Sequence, residues 1–229
     1  MDPKLSVLLF SWAWRPEIMA SLLLAAGVHL TGRWRLKHRT ADRAGKDSGG
    51  NLTSPWRSIS YLGGLAILWI ALMSPIDVLS GQYFFMHMIQ HLLIVMIAAP
   101  LLLLANPMPI MLWGLPETLR LEVGRWLRPG TTFRNTVRAA TTPGLVWIYF
   151  VVVLVGWHDA NAYDATLRYD LVHDIEHLSF FFTAILFWWH VTGAAPHIHR
   201  RLSRGLRIGY ALSAVPPTAL TGLAIAFAS

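Results

Sequence analysis

The sequence predicts an all-α protein, a polytopic transmembrane helical bundle of about six spans that forms one integral membrane domain over residues 1–229. Of the 229 residues, 55% are apolar and only 14% are charged, whereas a soluble domain carries about 25% charged residues. The apolar residues fall into runs near the ~20 residues that cross a bilayer core. Several of the eleven Trp residues lie at the ends of these runs, as in an aromatic belt at headgroup depth.

The predicted spans are the long apolar runs, taken in chain order. They lie near residues 17–33, 57–76, 83–104, 143–158, 170–191 and 206–228. Residues 5–14 are apolar but too few to cross, and they lack a small-residue cleavage site. We therefore expect residues 5–14 to lie at the membrane interface rather than to form a signal peptide.

The basic residues predict the orientation. Nearly all of the nineteen Lys and Arg residues lie in three loops, 33–57, 113–142 and 196–207. If the spans alternate in direction, these loops share one side, which the positive-inside rule makes cytoplasmic. We therefore expect the N-terminus to be outside, the 40–54 stretch to be a flexible inner loop, and an amphipathic helix of the 113–142 loop to lie on the inner leaflet.

Composition also excludes several classes of protein. The net charge of +7 lies in loops rather than along a basic stripe, so nucleic-acid binding is not indicated. The absence of cysteine excludes disulfides and zinc–cysteine sites. The Gly/Pro-interrupted helices in paired halves that point to a transporter are missing from the sequence.

The histidines carry the strongest functional signal. His87 and His91 lie near the start of the third predicted span, and His173 and His177 lie near the start of the fifth. Residues four apart are separated by about 40° around a helix and by ~6 Å along it, so each pair presents two imidazoles on one face. Because both predicted spans run inward from the outer surface, we expect the four rings to converge near that surface.

Converging imidazoles predict a metal site, because imidazole suits copper, zinc and iron. His158, which closes the fourth predicted span at the same end, is a further candidate ligand. Residues expected to orient the ligands or to form an acidic rim are Asp77, Asp164, Asp170, Asp174, Glu176, Met73, Met88 and Gln90. Carboxylates orient ring N–H groups, and thioethers favour Cu(I).

Structural roles are the alternative for the same residues. A single intramembrane histidine often forms a hydrogen bond between helices. The acidic residues can be a solvated rim, and methionines commonly fill gaps in packing.

Two other functions fit part of the pattern. A membrane cytochrome could hold haem with one histidine from each of two helices, but ligands only ~6 Å apart along a helix leave room for one haem at most. The segment from His173 to His177 also matches the H-x-x-E-H pattern of a zinc metalloprotease family. That reading is disfavoured because no Asp or Glu follows Glu176 to supply a further ligand.

Five blocks of residues closely resemble the CtaG family of membrane proteins that assemble cytochrome c oxidase, and the resemblance covers about residues 56–210. These blocks are Ser74-Pro75-Ile76-Asp77, His87-Met88-Ile89-Gln90-His91-Leu92-Leu93, Ala99-Pro100-Leu101-Leu102-Leu103-Leu104-Ala105-Asn106-Pro107, Trp157-His158 and His173-Asp174-Ile175-Glu176-His177-Leu178.

The resemblance implies an assembly factor for haem-copper oxidase in the plasma (inner) membrane, with oxidase subunits and the lipid bilayer as partners, rather than an enzyme. Its members usually continue through a span beyond the sixth. We expect a copper ion as the bound group at the outer histidines, with haem as one alternative and a scaffold without metal as the other.

Overall fold

The computed structural model describes residues 11–42 and 52–227, which contain helices and no strand. Most of the expected interfacial run 5–14 and of the expected flexible loop 40–54 lies outside the described residues. The helices are α1 Pro16–Asp42, α2 Pro55–Met73, α3 Pro75–Ser80, α4 Phe84–Leu92, α5 Ala99–Leu104, α6 Pro107–Gly114, α7 Glu117–Trp126, α8 Thr132–Ala140, α9 Pro143–Trp157, α10 Ala160–Arg168, α11 Asp170–Thr192, α12 Arg204–Leu212 and α13 Val215–Phe227.

Local sequence explains where many of these helices begin and how two of them join. Proline occupies the first turn of α2, α3, α6 and α9, where its fixed φ suits the helix and its missing N–H would have no partner anyway. A π-helical segment, Leu93–Ala98, joins α4 to α5. Phe84–Leu104 is therefore one continuous helix.

Four of the described helical stretches are long and apolar enough to cross a membrane: Pro55–Met73, Phe84–Leu104, Asp170–Thr192 and Arg204–Ile225. The helices α8 and α9 meet at an angle of 57° and would add a fifth if they form one span. The protein is thus an all-helical, multi-pass membrane protein.

The first predicted span belongs to α1, a helix of 27 residues that is not among those four. The helix continues through Arg33, Arg35, Lys37 and Arg39, so the inner loop predicted from residue 33 begins later than expected. These basic residues also lower the hydropathy of α1. The count of six spans and the outside N-terminus remain predictions.

The helix Phe84–Leu104 lies at the centre of the bundle. On one side, Ile94 and Leu102 pack in a buried cluster with Tyr61 of α2. On the other side, Val95 packs with Phe150 of α9 and with buried residues of α11. Since this helix begins with the segment that contains His87 and His91, its central position places both histidines between neighbouring helices.

The helix α1 packs closely along α6 because two glycines allow the backbones to touch. A Cβ atom added to Gly32 would lie 1.9 Å from the carbonyl oxygen of Ile110, and one added to Gly114 would lie 2.0 Å from that of Val28. No larger residue fits either position without moving the backbone. This contact holds α1 against α6. At the other end of α1, Arg15 contacts Asp174 in the N-terminal part of α11.

Candidate metal centre

The first turns of α4 and α11 bring the predicted histidines together. The ring centroids of His87 and His91 lie 4.4 Å apart, and those of His173 and His177 lie 4.2 Å apart. The prediction that each pair shares one helical face is therefore confirmed. It follows from the i, i+4 spacing in a continuous helix.

The two pairs also face each other across the interface between α4 and α11. The centroid of His87 is 5.3 Å from that of His173, and the centroid of His91 is 5.4 Å from that of His177. We call these four residues the histidine cluster. The expected convergence of the two helices is thus present in the structure.

Glu176 lies inside the cluster, although the sequence placed it among the orienting and rim residues. It is 1% exposed. Its carboxylate oxygens lie 3.3 Å from Nε2 of His87 and 3.5 Å from Nε2 of His91. This position between the helices makes Glu176 a candidate ligand rather than a solvated rim residue.

Most of the buried nitrogens in the cluster have no protein partner. Nδ1 of His87 and both ring nitrogens of His91 and His177 accept or donate no hydrogen bond. The 3.5 Å approach of His91 to Glu176 gives attraction but is too long for a well-formed hydrogen bond. Burial of polar atoms without a partner is unfavourable. Binding of a metal ion by these nitrogens would remove that cost.

Among the residues that the structure describes, two sets of ligand atoms are compact enough to hold an ion. The first set is His87, His91 and Glu176, and the second is His173, Glu176 and His177. Within each set, one ligand atom from every residue lies within 4.8 Å of the others. All of these residues are buried except His173, which is half-buried.

A cavity of about 410 Å³ adjoins the cluster. Its lining includes His87, His173, Asp77, Asp170 and Arg15. One ring from each histidine pair therefore borders a space large enough for an ion with bound water.

Asp77 and Gln90, both predicted near the ligands, are bonded to each other beside this cavity. Nε2 of Gln90 donates to Oδ1 of Asp77 over 2.7 Å and to the carbonyl oxygen of Ala71 over 2.8 Å. Burial raises the pKa of Asp77, and the hydrogen bond from Gln90 opposes that shift. These two hydrogen bonds of Gln90 connect α4 to the C-terminal end of α2 and to α3.

His158 lies at the edge of the cluster. Its ring centroid is 6.2 Å from that of His91, and its Nδ1 donates to the carbonyl oxygen of Leu154 over 2.7 Å. That bond leaves Nε2 of His158 as the nitrogen available to bind a metal ion. His158 does not belong to either compact set of ligand atoms.

The remaining predicted residues occupy more peripheral positions. Asp164 is exposed and pairs with Arg168, over 2.6 Å, and Asp170 is also exposed at the cavity. Met73 is buried and Met88 is half-buried, and a role for their sulfur atoms stays a prediction.

Sequence reasoning missed Arg15 and the interior position of Glu176. Arg15 donates to Asp174 over 2.5 Å and lines the cavity, and these contacts with Asp174 raise the pKa of its guanidinium. Nothing in the sequence pairs residues so far apart in the chain. The signal for Glu176 was present, because a carboxylate inside an apolar run usually faces the bundle interior.

The sequence matches a known family over residues 27–229, described as the cytochrome c oxidase caa3 assembly factor (Caa3_CtaG) family. The chain belongs to this family, which confirms the resemblance found in its motifs. Similar proteins include uncharacterized proteins of Mycobacterium bovis and Mycobacterium tuberculosis, each 28% identical over 212 residues. The match covers 90% of this chain but spans only 30% of each relative. No solved structure matches the chain.

Proposed function

We propose that this member of the cytochrome c oxidase assembly factor family binds copper as cargo at the histidine cluster and Glu176, and aids copper insertion into an oxidase subunit. The observation that carries the proposal is the pair of compact ligand sets with buried ring nitrogens that lack protein partners. Imidazole suits copper, and copper heads the usual affinity order of divalent first-row metals. A haem-copper oxidase needs this metal for its own centres.

The same geometry favours an ion over haem. The carboxylate of Glu176 lies between the two helices and contacts His87 and His91. The rings of the two pairs approach to between 5.3 and 6.2 Å. The side chains thus fill the space that a planar macrocycle would need between its two axial ligands.

We place the cluster near the extracytoplasmic face of a six-span protein with its N-terminus outside. The support comes from the charges at the two ends of α11. Asp170 and Asp174 lie in its first turns, whereas Arg200, Arg201 and Arg204 follow its C-terminus. The positive-inside rule assigns the basic end to the cytoplasm, and therefore the histidine end to the outside.

Transfer of the cargo requires exchange of ligands rather than a catalysed reaction. His87 and His173 border the adjoining cavity, from which a ligand of the oxidase subunit can approach. Asp77 and Asp170 on the cavity wall raise the local concentration of cations. The proposal therefore assigns no enzymatic step to this protein.

Copper retention by the purified protein tests the proposal. The detergent-solubilised chain is loaded with copper, desalted, and analysed for metal content and for its visible spectrum. The double variant His91→Gln with His177→Gln removes one imidazole from each pair and should lose nearly all copper. The control carries the same change at His29 and His190, two buried histidines outside the cluster, and should keep the copper of the parent protein.

Three results would contradict copper binding at this site. Equal copper in the cluster variant and the parent would place the metal elsewhere. A Soret band in the parent would indicate haem. Absence of any metal, together with co-purification of an oxidase subunit, would indicate a scaffold that acts through protein contacts alone.

A further inference from the structure

Glu176 is the one residue shared by the two compact sets of ligand atoms. We propose that the site holds two copper ions rather than one, one at each histidine pair, with the carboxylate of Glu176 bridging them. This inference rests on the proposed function and deepens it, because it fixes the stoichiometry and arrangement of the cargo.

Distances within and between the pairs support two separate ligand sets. The rings of each pair lie 4.4 and 4.2 Å apart. Between the pairs the separations rise to 5.3, 5.4 and 6.2 Å. Each pair is thus more compact than any combination across the interface, and the two sets have no histidine in common.

The carboxylate of Glu176 lies within reach of both histidine pairs. Its Oε1 lies 3.4 Å from Nε2 of His87 and 3.5 Å from Nε2 of His91, and its Oε2 lies 3.3 Å from Nε2 of His87. A carboxylate oxygen of Glu176 also lies within 4.8 Å of a ring nitrogen of His173 and of one of His177. The two oxygens of this one carboxylate can therefore bind one ion each.

Charge favours two monovalent ions. The four imidazoles contribute no negative charge when they act as ligands, so Glu176 is the anion at the centre of the cluster. A buried positive charge is stable only near compensating charge. Two Cu(I) ions exceed the charge of Glu176 by one, whereas two Cu(II) ions would exceed it by three. Asp77 and Asp170, which line the adjoining cavity, supply further negative potential.

Metal stoichiometry in pair-deletion variants tests the inference. The full chain is loaded anaerobically with excess Cu(I), desalted, and analysed for copper per chain. We expect two ions in the parent. One ion should remain in the variant His87→Gln with His91→Gln, and one in the variant His173→Gln with His177→Gln. The matched control, with the same change at His29 and His190, should keep two.

A single-ion site predicts different numbers. If one ion used both pairs, the parent would hold one copper and either pair deletion would hold none. That result would overturn the two-ion inference and leave the proposed copper function standing. No copper in the correctly folded parent would overturn both.

X-ray absorption of the loaded parent decides the question without any variant, in case the pair deletions fail to fold. Two bridged ions lie about 3.5–4 Å apart in known two-metal sites, so the spectrum should contain copper–copper scattering near that distance. A spectrum with nitrogen and oxygen neighbours alone would overturn the bridge.

Discussion

Buried histidines lie at both ends of α11, but the hydrogen bonding of their ring nitrogens differs. At the C-terminal end, Nε2 of His190 bonds to the carbonyl oxygen of Thr141 over 2.9 Å. Nearby, Nε2 of His199 bonds to the hydroxyl of Thr141 over 3.0 Å. At the N-terminal end, neither ring nitrogen of His177 has a partner, although His177 and His190 are similarly buried, at 5% and 7% exposure.

This difference separates a structural histidine from a candidate ligand. His177 and His190 are almost equally buried, so burial does not distinguish them. A histidine that is bonded to the protein contributes to stability by itself, whereas one with two unpartnered nitrogens is unfavourable until something binds them. The metal proposal therefore depends on hydrogen bonding rather than on the number of histidines.

The largest expected effect comes from Glu176→Gln. This change removes the one carboxylate from the centre of the cluster, and copper affinity should fall at least about 100-fold, the upper end of the loss seen for residues that only orient a ligand. Competition with a copper chelator measures the affinity. Glu117→Gln, at a carboxylate whose side chain is 75% exposed, is the control and should leave copper affinity unchanged. Similar affinities in both variants would remove Glu176 from the site.

The stability of the metal-free protein should respond with opposite signs at the two ends of α11. His177→Leu removes two unpartnered polar atoms and should raise the free energy of unfolding by about 1 kcal/mol. His190→Leu leaves the Thr141 carbonyl without its donor and should lower it by about 1–3 kcal/mol. Thermal unfolding in detergent measures both. A loss of equal size at both positions would show that the unpartnered nitrogens of His177 do not destabilise the metal-free protein.

Gln90→Leu tests whether the hydrogen bonds of Gln90 hold α4 and its histidines in position. Asp77 would lose its hydrogen-bond donor, and α4 would lose its bond to Ala71. Copper affinity should fall about 10-fold, as is typical when a group outside the ligand shell is lost. Gln82→Leu, in the exposed turn before α4, serves as the control. An unchanged affinity in Gln90→Leu would show that the ligands hold their positions without this bond.

The smallest effect is a pH dependence at the other end of α11. Burial, followed by the charge of Arg138, lowers the pKa of His199 below its usual 6.5. The unfolded chain then binds more protons than the folded protein once the pH falls below 6.5, so the stability that neutral His199 provides is present above that pH and declines below it. His199→Asn should reduce the drop in Tm between pH 7 and pH 5 by about 1–2 °C. A drop of the same size in parent and variant would exclude His199 as a contributor.

Much of the site was predictable because it depends on spacing within single helices. In any α-helix, His87 shares a face with His91 and His173 shares a face with His177. The rings within each pair are indeed close together in the structure. The convergence of α4 and α11 was also expected, because both pairs lie near the start of predicted spans that run in the same direction. Asp77 lines the cavity that His87 and His173 border, and Gln90 is hydrogen-bonded to Asp77, whereas their role toward a metal stays a prediction.

The position of Glu176 between both histidine pairs was not predicted, because adjacent residues on a helix point in different directions and the sequence does not say which of them faces a given neighbouring helix. On α11, Glu176 is separated from His177 by about 100° around the helix axis. Which of the two points at α4 depends on the rotation of the whole helix. Here both do, since α4 packs close enough to cover that arc.

The sequence by itself determined the helical membrane class, the family and the residues that share a helical face, because these depend on composition and on a period of 3.6 residues. The tertiary structure alone decided that Glu176 joins both histidine pairs, that the nitrogens of His177 are left without partners while that of His190 is bonded, and that Arg15 reaches Asp174. Those contacts arise where separate helices meet. Their rotation and separation are set by packing over the whole interface, which no local pattern encodes.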